Sequence, residues 1–278
     1  MAQAIPTHTM SCFLLSKNLC DEMISMVRNF WWGQKQRERK MAWMQWDKLC
    51  DPKGLGGMRF QDLRAFNLAL LAKQGWRLQQ KSNSLFYRFF KSKYFLDVDF
   101  IRAKKGHHLS FAWSIWAAQS LIKEGVQWQV GNGKDIHIWK DRWTTNPSTF
   151  RIVSPMKILP IDAKASALID EEEGVWKTSL VRDIFMEHEA DSILSILLSS
   201  TLPVDIVWTA AVNGKFSVKS SYHLARKGVR KNRRGELRYL GNAKVLEKDL
   251  EGKSPKQGQM LWVESLLKYP PNKIEFIS

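Results

Sequence analysis

Apolar residues recur at helical spacing over most of the first half of the chain. Between Ser16 and Trp32 the positions Leu19, Met23, Met26, Val27 and Phe30 predict a helix, with Asp21 and Glu22 in its first turns, where the helix dipole favours acid. Gly33 ends it. The polar run from Gln34 to Lys40 clusters Lys35, Arg37, Arg39 and Lys40 and predicts an exposed loop, followed by a short amphipathic element with Trp43 and Trp46 that ends at Cys50. Pro52-Lys53-Gly54-Leu55-Gly56-Gly57 is a turn cluster, since glycine tolerates positive φ without steric cost. A helix over Asp62–Gln80 follows, with Leu63, Phe66 and Leu70 on one face and Ala69, Ala72 and Trp76 beside them. Its Lys73, Arg77 and Lys81 form a basic stripe at four-residue spacing. Ser84 is placed to cap a helix through about Tyr94. In that helix Leu85, Phe86, Phe89 and Phe90 read as core, and Arg88, Lys91 and Lys93 extend the basic surface. Ser110 caps another, carrying Trp113, Trp116, Ala117, Ser120 and Leu121 and ended by Gly125.

The period then drops to two. Val126, Trp128 and Val130 alternate before Gly131-Asn132-Gly133, and Ile136 and Ile138 alternate after it, which predicts a β-hairpin. Trp139 and Trp143 extend its second strand and exit. A connector with Pro155, Pro160 and the acidic run Asp170-Glu171-Glu172-Glu173 precedes a helical pair over roughly Thr178–Ser199. A second hairpin is read from Ile206–Ala210 and Phe216–Val218 around Asn213-Gly214, with Ser220 capping a short helix through Arg226. Lys227–Gln259 is basic and poor in large apolar groups, the composition of a linker. The expectation is an α+β fold, predominantly α-helical with two short β-hairpins, and a weakly ordered basic linker and tail. It divides into a helical region over 1–150 ending in a hairpin, a small α+β lobe over 151–227, and a tail over 228–278.

Charge sharpens the reading. The formal net charge is +16, unevenly spread: residues 1–150 hold 23 basic against 11 acidic residues, 151–225 hold 7 against 10, and 226–278 hold 13 against 6. A polyanion is the implied partner, nucleic acid first because each neutralised phosphate releases counterions, and an anionic membrane surface second. Thirteen Trp and fourteen Phe demand burial or use as stacking platforms, which excludes a disordered tail as the reading of the whole. No apolar run reaches the ~20 residues of a membrane span, and Met1–Cys20 lacks the basic start and apolar centre of a secretory signal. Cys12, Cys20 and Cys50 form an odd set without a C-x-x-C pair, which points to a reducing intracellular compartment and to neither a disulfide framework nor a zinc knuckle.

Candidate chemistry is sparse. Asp97 and Asp99 alternate as a metal-binding pair would, but Phe95, Val98 and Phe100 around them read more simply as a loop with solvated carboxylates. The acidic run reads as an exposed loop. His107, His108, His137, His188 and His223 have no metal-ligand spacing, and the cysteines read as small buried hydrophobes rather than nucleophiles. Trp31 and Trp32 read as core, with stacking on bases the alternative. The candidate site is the set of cations Lys73, Arg77, Lys81, Arg88, Lys91 and Lys93, read as phosphate contacts. No catalytic residue, metal ligand or cofactor is assigned.

Several blocks carry a family resemblance: Ile5-Pro6-Thr7 through Lys17, Leu19-Cys20-Asp21-Glu22, Phe30-Trp31-Trp32-Gly33, Trp46-Asp47-Lys48-Leu49-Cys50, Gly54–Gly57 with Phe60-Gln61-Asp62-Leu63, Ala65 through Leu78, and Gly131-Asn132-Gly133 with Ile138 through Trp143. Collinear over some 140 residues, they resemble the segment that follows the catalytic palm in plant LINE-type (non-LTR) retrotransposon reverse transcriptases, its thumb and connector. More weakly, Trp208, Gly214 through Tyr222, Leu261-Trp262 and Pro271 through Ile277 resemble the start of that family's zinc-binding region. The resemblance implies contact with a polymerase palm and non-specific binding of RNA or DNA; the compartment stays open, with the nucleus the first expectation for an intracellular chain. It does not carry polymerisation over, because the family's metal-holding Tyr-x-Asp-Asp hairpin is missing here and two-metal transfer needs those aspartates. Nor does it carry over zinc, since no cysteine follows Cys50 and zinc needs four converging ligands. A non-catalytic fragment is therefore expected. A protein-interaction scaffold, host-retained or dependent on the missing palm, is the alternative. Oligomeric state and any preferred nucleic-acid sequence stay open.

Overall fold

The computed structural model describes residues 7–33, 41–80, 83–96, 98–103, 110–146, 149–156, 158–198 and 205–233. Two units emerge, one from residues 1–122 with 221–278 and the other from 123–220. Described residues are mostly helical, with two small antiparallel two-stranded sheets, the α+β and mainly α composition expected from the periodicity.

The first unit is organised around one helix. In chain order come α1 (Thr7–Cys12), α2 (Lys17–Trp31), α3 (Trp46–Leu49), α4 (Leu63–Gln79), α5 (Leu85–Tyr94) and α6 (Ser110–Ala117), then α7 (Gln119–Gly125), on which the first unit ends and the second begins. Helix α4 packs against α1, α2, α5 and α6, so its sequence is apolar nearly all round. Its start is fixed by Asp62, whose Oδ1 accepts from the backbone N–H groups of Arg64 (3.0 Å) and Ala65 (3.1 Å). Ser16 and Ser84 cap α2 and α5 in the same way. The buried Asn67 uses its whole amide, donating to the carbonyls of Met10 (2.7 Å) and Phe13 (2.8 Å) and accepting from the N–H of Leu15 (2.9 Å). One polar side chain thus satisfies the turn between α1 and α2 without water. Gly75 is required by space, since a Cβ there would stand 2.6 Å from Ile122 and 2.8 Å from the ring of Phe100.

The last described helix returns to this unit. Helix α10 (Val218–Arg233) begins after Ser217, whose hydroxyl accepts from the N–H of Ser220, so Ser217 rather than Ser220 is the cap. It also runs past Arg226 through 227–233, residues expected to be linker. The contacts described below explain the extension: Ala225 and Val229 are buried, and Arg226 and Arg230 are anchored on one side of the helix.

In the second unit, β1 (Val126–Gln129) pairs not with the segment after Gly133 but with β4 (Asp205–Trp208), Val126 opposite Trp208. The first expected hairpin is thereby corrected. Gly131-Asn132-Gly133 does not reverse one strand onto the next: a Cβ on Gly133 would meet the Ser166 nitrogen at 2.6 Å, because this loop lies directly on the 165–166 backbone. Ile138 accordingly donates to the Ala163 carbonyl (3.0 Å), and Ala165 to that of Ile136 (2.9 Å). The second expected hairpin is half right. Asn213-Gly214 turns, with Gly214 at φ +67° and Trp208 donating to its carbonyl (2.8 Å), but Phe216–Val218 forms no strand. A tight hairpin stands elsewhere, between β2 (Ile169–Asp170) and β3 (Val175–Trp176). The expected helical pair is present as α8 (Thr178–Ile184) and α9 (Glu187–Leu194). These elements enclose a core containing Trp128, Ile136, Ile138, Trp143, Trp176 and Ile193, in which Trp143 and Trp176 stack at 6.0 Å. The buried carboxylate of Glu189 accepts from the N–H groups of Val153 (2.7 Å) and Ser154 (3.0 Å) and from the Ser154 hydroxyl. With three donors converging on it, this carboxylate is satisfied as an anchor for the loop at 153–154.

Candidate nucleic-acid interface

Five of the six predicted cations lie on adjacent helices of the first unit, and all five are exposed. Lys73 and Arg77 are the only fully exposed positions of α4, with Arg64, Phe66, Leu68 and Gln74 half-buried. Arg88, Lys91 and Lys93 project from α5. Lys81 lies outside the described residues. The two helices are stitched at this surface by Arg77, whose guanidinium sits 5.3 Å from the centre of the Phe86 ring and donates to Gln74 Oε1 (3.1 Å). Lys91 lies over Tyr87 (5.7 Å), and Lys93 over Phe89 (5.7 Å) and Tyr94 (5.8 Å). Among the described residues none of the five is in an ion pair with a carboxylate, and all five stay exposed.

The aromatic residues of α5 divide in a way the sequence does not reveal. Phe86, Phe90 and Tyr94 form an inward row, with ring centres 4.7 and 5.4 Å apart, and Phe90 is buried. Leu85 and Phe89, expected in the core, face outward instead, 81% and 54% exposed. They are one turn apart and share the outer stripe with Arg88 and Ser92. Helical spacing alone cannot separate the two rows, because four of the six residues from 85 to 90 are apolar and cover more than one face.

The remaining candidates are structural. Asp97 lies outside the described residues, and Asp99 pairs with Arg102 at 3.9 Å. Asp170 turns the acidic run by accepting from the N–H of Glu172 (3.0 Å). His137 faces Asp141 at 3.3 Å. His107 and His108 fall outside the described residues, and among those described no cluster of three or more metal-ligating side chains forms. No helix of the described residues is long and apolar enough to cross a membrane. Trp32 packs against the small core of Trp46, Leu49 and Cys50, whereas Trp31 is 45% exposed with its ring edge-on to Phe60 (5.0 Å).

The contact the sequence reading missed is a charged clamp. Asp51, beside the glycine turn, accepts from Arg226 Nη2 (2.7 Å) and from Arg230, and both arginines also reach the Asp47 carbonyl. Burial pushes the Asp51 carboxyl up, but hydrogen bonds from Arg230 and Arg226 outweigh it and hold the group below its ordinary value. Next to it, burial first and the charge of Asp62 second push the Cys50 thiol up to about 12, so it is a neutral, inert thiol. Burial also raises Tyr222, whose hydroxyl accepts from the Asp62 N–H (3.1 Å). The one available sequence signal was the four-residue spacing of Arg226 and Arg230.

A mainly helical α+β chain with an unpaired cationic face is thus the class of protein the fold and site define. It belongs to the family of the uncharacterized mitochondrial protein AtMg00310 of Arabidopsis thaliana, with which it is 39% identical over 142 residues, half of this chain and 92% of that protein. It is also 25% identical over 229 residues to the Arabidopsis thaliana protein named "Putative ribonuclease H protein At1g65750", covering 80% of this chain and 37% of that longer protein. No protein-family model matches the sequence. No solved structure matches it.

Proposed function

We propose that this chain is a retroelement-derived segment, corresponding to the thumb and connector of a LINE-type reverse transcriptase, that grips RNA or DNA without sequence preference and performs no catalysis itself. The observation that carries the reading is the unpaired cationic surface of α4 and α5, with Lys73 and Arg77 as the sole fully exposed positions of the central helix. A surface of this kind binds through phosphates and reads no base edges, which makes it sequence-independent. The name of the longer relative is that of a nucleic-acid enzyme, and this supports the same context. The collinear blocks from Ile5 to Trp143 support the finer assignment to the LINE type.

Filter binding over a salt series tests it. Each phosphate neutralised contributes roughly −0.9 to the slope of log K against log salt on duplex DNA and roughly −0.7 on single strands. Five engaged cations therefore predict a slope of about −3.5 to −4.5. Absence of binding at low salt, or binding indifferent to salt, would remove the proposal.

A second reading, an interaction scaffold that docks a polymerase palm, is favoured by the apolar residues Phe30, Met41, Trp43 and Leu55, which are 61 to 79% exposed. Aggregation of the purified chain, relieved by adding a reverse-transcriptase palm segment, supports it; a soluble monomer argues against it.

A further inference from the structure

The outer stripe of α5 holds an exposed aromatic ring amid cations. Phe89 keeps 54% of its surface in solvent while its position is fixed from two sides: its ring meets Phe90 edge-on at 5.8 Å and 75°, and the Lys93 ammonium lies 5.7 Å from its centre. Phe90 is itself 3% exposed and held in the inward row with Phe86 and Tyr94, so the support under Phe89 is rigid. Leu85, one turn earlier and 81% exposed, continues the apolar strip, which Arg88 and Lys93 flank.

A purely electrostatic face has no use for such a ring. Phosphates are satisfied by the cations, and the exposed half of the Phe89 ring gains free energy when a flat, apolar surface covers it. In duplex DNA the bases are already stacked and paired, so their faces are not available to an outside ring. An unpaired base offers a π-face of matching size on a backbone whose phosphates the neighbouring cations hold. From this we infer that Phe89 is a stacking platform for one unpaired base, so that the α5 face prefers single-stranded RNA or DNA to duplex. This inference rests on the proposal that the α4–α5 surface binds nucleic acid. A protein helix or loop is the competing occupant of an apolar strip, but flanking cations, Arg88 and Lys93, without carboxylate partners among the described residues complement a polyanion better.

The test measures binding of the full chain by fluorescence anisotropy to four labelled probes of equal length: oligo-U, oligo-dT, an abasic single strand carrying phosphates without bases, and a duplex. The base-bearing strands are expected to bind roughly 5- to 150-fold tighter than the abasic strand, the range for one stacked base. Phe89→Ala closes that gap and leaves abasic and duplex binding unchanged. Phe89→Leu, which keeps the apolar bulk but not the ring, closes it as well, and Phe89→Trp restores it. Circular dichroism identical to the parent chain establishes that the variants fold. If Phe89→Ala weakens all four probes alike, or the parent shows no gap, the stacking role is overturned while salt-dependent binding keeps the cationic face intact. If no probe binds at low salt, both fall together. Self-association lost in Phe89→Ala but kept in Phe89→Leu, with no gap between base-bearing and abasic strands, assigns the strip to a protein contact and also overturns the inference.

Discussion

Arg226 donates to Asp51 at 2.7 Å across 175 residues of sequence, and this joins α10 to the turn that follows α3. The guanidinium is buried, and the same arginine donates to the Asp47 carbonyl at 3.1 Å, so the carboxylate and the carbonyl together hold a charge that has little access to water.

Asp51→Asn is expected to destabilise the first unit by roughly 1.5–3 kcal/mol, the range for hydrogen bonds to charged groups. The effect has a pH signature. The Asp51 carboxyl is held below its ordinary value of 3.8 in the folded chain, so its contribution is fully present above that value and is lost as pH falls through the lower folded value. Urea denaturation should therefore show a constant gap between parent and variant above about pH 5 that narrows below about pH 4.

Cys50 behaves in the opposite sense. Its thiol is raised from 9.0 to about 12, so above pH 9 the unfolded chain gives up a proton that the folded chain keeps. Stability falls over this interval by up to about 1.4 kcal/mol per pH unit. Cys50→Ala should flatten that alkaline loss relative to the parent. At neutral pH, Ellman's reagent should leave Cys50 unmodified in the native protein and react with it after denaturation.

Gly125→Ala is expected to cost about 1–3 kcal/mol by over-packing. A Cβ at this position would stand 2.3 Å from the Trp208 ring, which is fully buried and donates through Nε1 to the Ser220 hydroxyl (2.8 Å), so the indole cannot withdraw. The denaturant midpoint, followed by tryptophan fluorescence, checks it.

Arg77 and Lys73 should part company. Either alanine variant is expected to reduce the salt slope of nucleic-acid binding by roughly 0.7 to 0.9. Arg77→Ala should also lower stability by about 0.5–1 kcal/mol, because it removes the cation that lies over Phe86. Lys73→Ala should leave stability unchanged. Parallel salt titrations and melting curves separate the two effects.

What the sequence discloses here follows the range of the interactions involved. The helices α2, α4 and α5 are legible because their caps, Ser16, Asp62 and Ser84, lie within a few residues of the apolar positions they organise. The cations of the candidate face are legible for the same reason: exposure on a helix follows local spacing. The β1–β4 pairing is not, since Val126 finds Trp208 through space and the nearer Gly-Asn-Gly offers a false local solution. The outward turn of Phe89 was hidden for a related reason. Its neighbours Phe86 and Phe90 have the same chemistry, and only contacts with other helices, Arg77 over Phe86 and Trp116 against Tyr94, decide which rings go in.

The first unit is discontinuous, resuming at Ser221 within α10 only after the last residue of the second. On a ribosome, the amino-terminal helices emerge early yet wait with Asp51 unanswered until Arg226 and Arg230 have been translated. The order of synthesis therefore puts completion of the inserted unit ahead of the one that surrounds it, and a chain halted before Arg226 would leave the charged turn exposed to quality control.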